Sequence, residues 1–220
     1  MKRILLFALI IIGASVTVSA QINKGAVLVG GNVSFADGSR KTEGMQSSAD
    51  GKITSYGINP SVGFAYKENR VWGIFGGISK TDYLNSAIAS ELTYGGGAFL
   101  RQYKPLGKEF YFFAEETAYF WYSREKASPV FQGNPTYKTY NTGLGITPGL
   151  AYGVSKKFQL ELSLNNLLTI NYANRKQESS NPGNTPVSIK ESAFGMQSSL
   201  SGLGQLGYLN IGARFIIGKS

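Results

Sequence analysis

The chain has 220 residues, with 22 Lys and Arg against 13 Asp and Glu (formal charge +9), and it contains neither His nor Cys. Without Cys there can be no disulfides or thiolate metal sites, and without His the commonest general base and metal ligand are missing. A content of 28 Gly, 13 Tyr and 13 Phe points to strands and turns rather than helices.

At the start, Lys2 and Arg3 precede an apolar stretch from Ile4 to Ile12, and Val18-Ser19-Ala20 before Gln21 is a small-x-small cleavage pattern. The stretch is shorter than the roughly 20 apolar residues that cross a bilayer. Residues 1–20 are therefore expected to be a secretory signal peptide cut between Ala20 and Gln21, leaving 21–220 as one β domain. No Cys follows the apolar stretch, so no lipid anchor is expected there. Without Lys2 and Arg3 the remainder carries 20 basic and 13 acidic residues, a charge of +7. The basic residues are scattered, many in short turns, and the chain is exported, so nucleic acid is not an expected partner.

Period-two alternation predicts eight strands, at about 24–35, 52–66, 70–80, 91–104, 108–123, 137–154, 157–172 and 205–217. The first has Val27, Val29, Val33 and Phe35 as its apolar face. In the second, Tyr56, Ile58, Pro60, Val62, Phe64 and Tyr66 oppose Ser55, Gly57, Asn59, Ser61, Gly63 and Ala65. The third and fourth fit more loosely. The fifth is ambiguous, because the adjacent Glu115 and Glu116 face opposite ways unless a bulge intervenes. In the sixth, Leu144, Ile146, Pro148, Leu150 and Tyr152 oppose Gly143, Gly145, Thr147, Gly149 and Ala151. In the seventh, Phe158, Leu160, Leu162 and Leu164 oppose Gln159, Glu161, Ser163 and Asn165, and in the eighth Leu209 to Ile217 alternates likewise. Pro60 and Pro148 lack a ladder donor and are expected at local bulges.

Connections alternate in length. Three are short, at Lys67-Glu68-Asn69-Arg70, near Pro105-Leu106-Gly107 and at Ser155-Lys156; four are long, at 36–51, 81–90, 124–136 and 173–204. That is the pattern of an up-and-down barrel with short periplasmic turns and long external loops. One face is large and apolar and the other Gly, Ser, Thr and Asn, which suits lipid outside and a narrow interior. Tyr56 and Tyr66 lie ten residues apart on one face. In a tilted strand that is about 25 Å of height, the usual span between aromatic girdles. The predicted fold is all-β, an eight-stranded antiparallel up-and-down transmembrane β-barrel.

The run Gly143 to Tyr152, the turn Ser155-Lys156-Lys157-Phe158 and the last strand resemble the small outer-membrane β-barrel proteins common in Bacteroidetes, with an OmpA/OmpX-like architecture. Within Asn210-Ile211-Gly212-Ala213-Arg214-Phe215-Ile216-Ile217, residues Asn210, Gly212, Phe215 and Ile217 match a barrel-assembly signal, although Gly218-Lys219-Ser220 follow where many such barrels end on an aromatic. The resemblance implies a bacterial outer-membrane location, lipid and the barrel-assembly machinery as partners, and no common reaction.

No catalytic, metal or cofactor site is expected. A nucleophilic Ser needs a base that His would supply, and no calcium-loop spacing occurs. Gly30-Gly31 and Gly95-Gly96-Gly97 fall inside predicted strands, outside the strand–loop–helix setting of a phosphate loop. The charges Arg101, one of Glu115 or Glu116, Glu161 and Arg214 fall on or near the interior face. They are expected to pair as a polar plug, with Tyr103, Gln159 and Asn210 beside them, since unpaired charge in a narrow lumen is costly. A thin water-filled pore is the alternative. Arg124 and Lys126, near Tyr119 to Tyr122, are read as an outer girdle facing lipid phosphates. Loop 173–204, with stretches such as Val187-Ser188-Ile189-Lys190, is read as an extended hairpin or as disordered, and an extracellular partner would meet the long loops. The expected role is structural or surface-interacting and non-enzymatic. A narrow solute channel is the second reading, and a soluble lipocalin-like carrier, which would need its large apolar residues inside, the third.

Overall fold

A computed structural model describes residues 22–42, 49–84, 88–107, 109–128, 135–164, 167–179, 187–198 and 209–218. The signal segment, with Ala20 and Gln21, lies outside them. The strands are β1 (Val27–Thr42), β2 (Ala49–Lys67), β3 (Arg70–Leu84), β4 (Ile88–Gly107), β5 (Phe110–Ala127), β6 (Thr136–Ser155), β7 (Phe158–Leu164), β8 (Leu168–Ser179), β9 (Val187–Ser198) and β10 (Leu209–Ile217). Every pairing is antiparallel. The ladder runs β5-β4-β3-β2-β1-β10-β7-β6 and returns from β6 to β5, closing an eight-membered ring.

Eight barrel staves are present, as the alternation predicted, but the seventh is interrupted. The expected continuous segment 157–172 is β7 followed by β8. Gly149 pairs with Ser163 and Ile146 with Leu168, so three steps along β6 are met by five along its neighbour. Extra residues on one strand are what a bulge inserts, and the break lies beside Pro148, which brings no N–H to the ladder. At Pro60 the expected bulge is absent. The β2–β3 ladder skips Asn59 and Pro60, yet Ile58–Ile78 and Ser61–Phe75 keep one register, while Pro60 still pairs with Gly31 on β1. Two missing rungs are cheaper than a one-residue slip, which would turn every side chain of β2 to the wrong face.

On the long-connection side the strands run past the expected ends. Much of the expected loop 173–204 is a β8–β9 hairpin, registered from Leu168–Ser198 to Ser179–Val187. At the other end the turn between β2 and β3 is tight, with Asn69 in the left-handed region at φ 57°. Asn tolerates that conformation better than most residues because its short polar side chain bonds locally.

Side chains sort by strand parity. Outward-facing Val33, Tyr56, Ile58, Val62, Ile74, Leu144, Ile211 and Phe215 are all exposed. Tyr94, Tyr122 and Tyr140 stack across β4, β5 and β6 with centroids 5.1 Å apart at each step. Phe110–Tyr152 at 4.8 Å and Phe158–Phe215 at 5.0 Å form a second set toward the short turns. Such an apolar surface between two aromatic girdles is that of a membrane-spanning barrel, not a water-soluble carrier.

Candidate functional site: the closed lumen and the outer face

Two tiers of side chains occupy the lumen. Toward the short turns, Ile22, Leu28, Val71, Phe99, Tyr103, Tyr111 and Phe113 fill it, all buried. Ile22 is held there because its N–H donates to Asn69 Oδ1 at 3.0 Å and its carbonyl accepts from the Asn69 N–H at 2.9 Å. The aromatic rings fit because glycines face them. A Cβ on Gly149 would sit 2.3 Å from the Phe113 ring, and one on Gly73 2.5 Å from that of Phe99.

Above this tier lies a charge cluster. Arg101 donates from Nε to Glu115 Oε2 at 2.8 Å, and its Nη2 lies 2.6 Å from the same oxygen. From Nη1 it donates to Glu161 Oε1 at 2.6 Å and to Tyr103 Oη at 3.0 Å. Arg214 donates from Nε to Glu161 Oε1 at 2.7 Å and from Nη1 to Ser61 Oγ at 3.0 Å. Arg214 Nη2 lies 3.7 Å from Glu115, and the Arg101 guanidinium stacks 4.1 Å from the Phe113 ring centroid. Two cations meet two anions, so the cluster is formally neutral, and charge-assisted bonds replace the water each group gave up.

Of the residues expected in this lumen, Arg101, Glu115, Glu161 and Arg214 come together, with Tyr103 among them. Gln159 is buried, but its Oε1 accepts no hydrogen bond. Asn210 is buried at the wall of a cavity on the long-loop side of the cluster. That cavity is about 370 Å³, with Asn32, Asn59, Phe75, Tyr119 and Trp121 on its walls. Two participants were not anticipated. Ser61 was assigned only to a polar face, and Ile22 stood in a stretch read as the start of the mature chain. The inward aromatics of β5 were hidden because β5 is aromatic on both faces.

Of the adjacent pair Glu115 and Glu116, it is Glu116 that does not face the lumen. The β4–β5 and β5–β6 ladders carry no register shift near it, so it must face opposite to Glu115. It points outward, exposed, between Leu100 and Ile146 on the neighbouring strands.

At the long-loop rim, beyond the Tyr94–Tyr122–Tyr140 girdle, Glu178 accepts a hydrogen bond from Lys138 Nζ at 2.6 Å and pairs with Lys176 Nζ at 2.7 Å. The bonds from Lys138 and Lys176 hold its carboxyl down at about 2. The folded value lies below the ordinary 4.5, so the stabilisation is complete above that pH and fades as pH falls toward 2. Amide protection at the outer ends of β6 and β8 is expected to hold from neutrality to about pH 5 and to drop below it. In Glu178→Gln the acid-dependent part of that drop should disappear, as followed by hydrogen-exchange mass spectrometry. The pair is half-exposed, so added salt should shrink the effect.

Arg124 and Lys126 are exposed on the outer face of β5, flanking the level of the Tyr girdle. Asn210 and Gly212 of the expected assembly signal face inward, and Phe215 and Ile217 outward.

No family model matches the chain, and no curated protein does. Among solved structures it is similar to the outer membrane protein OprG from Pseudomonas aeruginosa, at 10% identity and a TM-score of 0.54, over 90% of this chain and 98% of that one. Two further similarities have lower TM-scores. One is Neisserial surface protein A, at 14% identity and TM-score 0.37, over 90% and 97% of the two chains. The other is the translocator domain of the autotransporter NalP from Neisseria meningitidis, at 11% and 0.38, over 98% and 92%. At 10% identity the likeness to OprG speaks to fold, and with the ring closure and the two girdles it gives one conclusion: the chain has the fold of an eight-stranded outer-membrane β-barrel.

Proposed function

We propose that this protein resides in a bacterial outer membrane after signal-peptide removal, as a closed, non-conducting and non-enzymatic barrel. On this reading the membrane-embedded part is a support, and the β-extensions beyond the outer girdle meet an extracellular partner. The observation that carries it is the two-tier seal of the lumen: a neutral charge cluster over an apolar cluster containing fully buried Phe113, Leu28 and Val71. An ion crossing it would have to displace both tiers. The Bacteroidetes-type resemblance and the last-strand assembly signal fit the same reading, with lipid and the assembly machinery as partners during biogenesis.

Planar-bilayer recording tests it. Purified wild-type protein is expected to give no stable unitary conductance, while Phe113→Ala combined with Arg101→Ser should give small, frequent openings. Stable, reproducible conductance from the wild type would move the protein to the channel reading.

A further inference from the structure

The luminal cavity above the charge cluster has aromatic walls that its neighbours make room for. Trp121 and Phe75 stand side by side in it, with ring centroids 6.1 Å apart. A Cβ on Gly95 would sit 2.7 Å from Trp121 Cε3, and one on Gly143 would sit 2.7 Å from Tyr119 Oη. Amides share the same space. Asn59 Nδ2 donates to Asn32 Oδ1 at 2.9 Å. Asn210 is only 9% exposed, and no described residue hydrogen-bonds its side chain. An enclosed amide without a partner is costly, and this one borders the cavity. Ala36 and Ser55, paired across β1 and β2, line the end toward the long connections. Ala36 is exposed, so the cavity meets solvent on that side.

Charge and shape decide what fits. On the floor, Arg101, Glu115, Glu161 and Arg214 bind one another, so a charged guest finds no uncompensated opposite charge. The walls offer neutral dipoles and ring faces. Water would satisfy the dipoles and gain nothing from the rings. We propose that the cavity binds one ring of a neutral sugar, free or at the end of a glycan, with its C–H face on Trp121 and Phe75 and its hydroxyls on Asn210. Each hydroxyl donates and accepts, as the amide does. The volume of about 370 Å³ lies at the small end of the range for small-molecule sites. Entry from the long-connection side requires no passage through the barrel, so binding is compatible with a closed lumen.

The Trp72→Phe variant leaves Trp121 as the one tryptophan, and its emission reports the cavity. Purified in detergent and titrated with D-glucose, D-galactose and D-mannose, it is expected to give a saturable change with at least one of them at millimolar concentration. Equilibrium dialysis of the same sugars in labelled form is a readout independent of the indole. Maltotetraose binding more tightly than glucose would assign the site to a chain end, and the reverse to a free sugar. Asn210→Ala should weaken binding at least about tenfold, the equivalent of one good hydrogen bond. Ile211→Ala, outward on the same strand, should leave it unchanged. Heat-modifiable mobility shows which variants assemble, and should Asn210→Ala fail to, Phe75→Ala carries the same expectation through the ring face. No saturable binding of any sugar by either readout would overturn the proposal. So would saturation by acetate, ethanolamine or glycine in place of the sugars, or an assembled Asn210→Ala that binds as tightly as its parent.

Discussion

Replacing Arg101 with Leu is expected to cost about 3–5 kcal/mol of folding stability, because it strands two carboxylates in the lumen. Arg101 contacts both Glu115 and Glu161 at 2.6 Å, while Arg214 reaches Glu115 only at 3.7 Å. Removing Arg101 therefore leaves Glu115 without a close cation and Glu161 with one of two. Replacing the whole cluster should behave differently. Arg101→Met, Glu115→Leu, Glu161→Leu and Arg214→Met together remove the charges with their mutual attraction, and such exchanges are often neutral or stabilising when the volumes pack. Urea titration of the folded, fast-migrating form in lipid vesicles separates the cases. A quadruple variant less stable than Arg101→Leu would mean that the cluster does more than satisfy itself.

The second large effect is expected at Gly149. Its missing side chain makes the room in which Phe113 lies, and an added Cβ would stand 2.3 Å from that ring and 2.8 Å from the Leu162 carbonyl oxygen. Phe113 is fully enclosed, so the ring has little freedom to yield, and overpacking of this kind costs about 1–3 kcal/mol. Phe113→Ala alone should cost about 3–5 kcal/mol through the cavity it leaves. In that background, Gly149→Ala should cost markedly less than it does in the wild type. A double-mutant cycle measures this coupling, and additive effects would show that ring and glycine do not share space.

These two sites differ in how far the sequence exposed them. Where one face is uniformly large and the other uniformly small, as from Ser55 to Tyr66 or Gly143 to Tyr152, parity alone orients every side chain. Arg101, Glu161 and Arg214 could then be placed in the lumen with no knowledge of their distances. On β5 the method fails. Phe110, Phe112 and Phe120 alternate with Tyr111, Phe113, Tyr119 and Trp121, so hydrophobicity has no period there. The inward rings are required by glycines on other strands, information that lies far away in sequence. The same ambiguity left Glu115 and Glu116 undivided, and only the unbroken registers with β4 and β6 separate them. The strand extensions past the girdles were missed for a related reason. Outside the apolar band neither face is greasy, and backbone pairing continues without an alternating signature.

The most direct test of the inside-out arrangement uses the two tryptophans of the chain. Trp72 is 49% exposed on the outer face, and Trp121 lines the luminal cavity. In vesicles containing lipids brominated along their chains, the single-tryptophan variant Trp121→Phe, which keeps Trp72, is expected to be strongly quenched. Trp72→Phe, which keeps Trp121, should be quenched little by those lipids and more by aqueous acrylamide. Lipid quenching of neither tryptophan, with Trp121 open to acrylamide and Trp72 shielded from it, would contradict the barrel described above, and would place the large apolar residues inside, as in a soluble carrier.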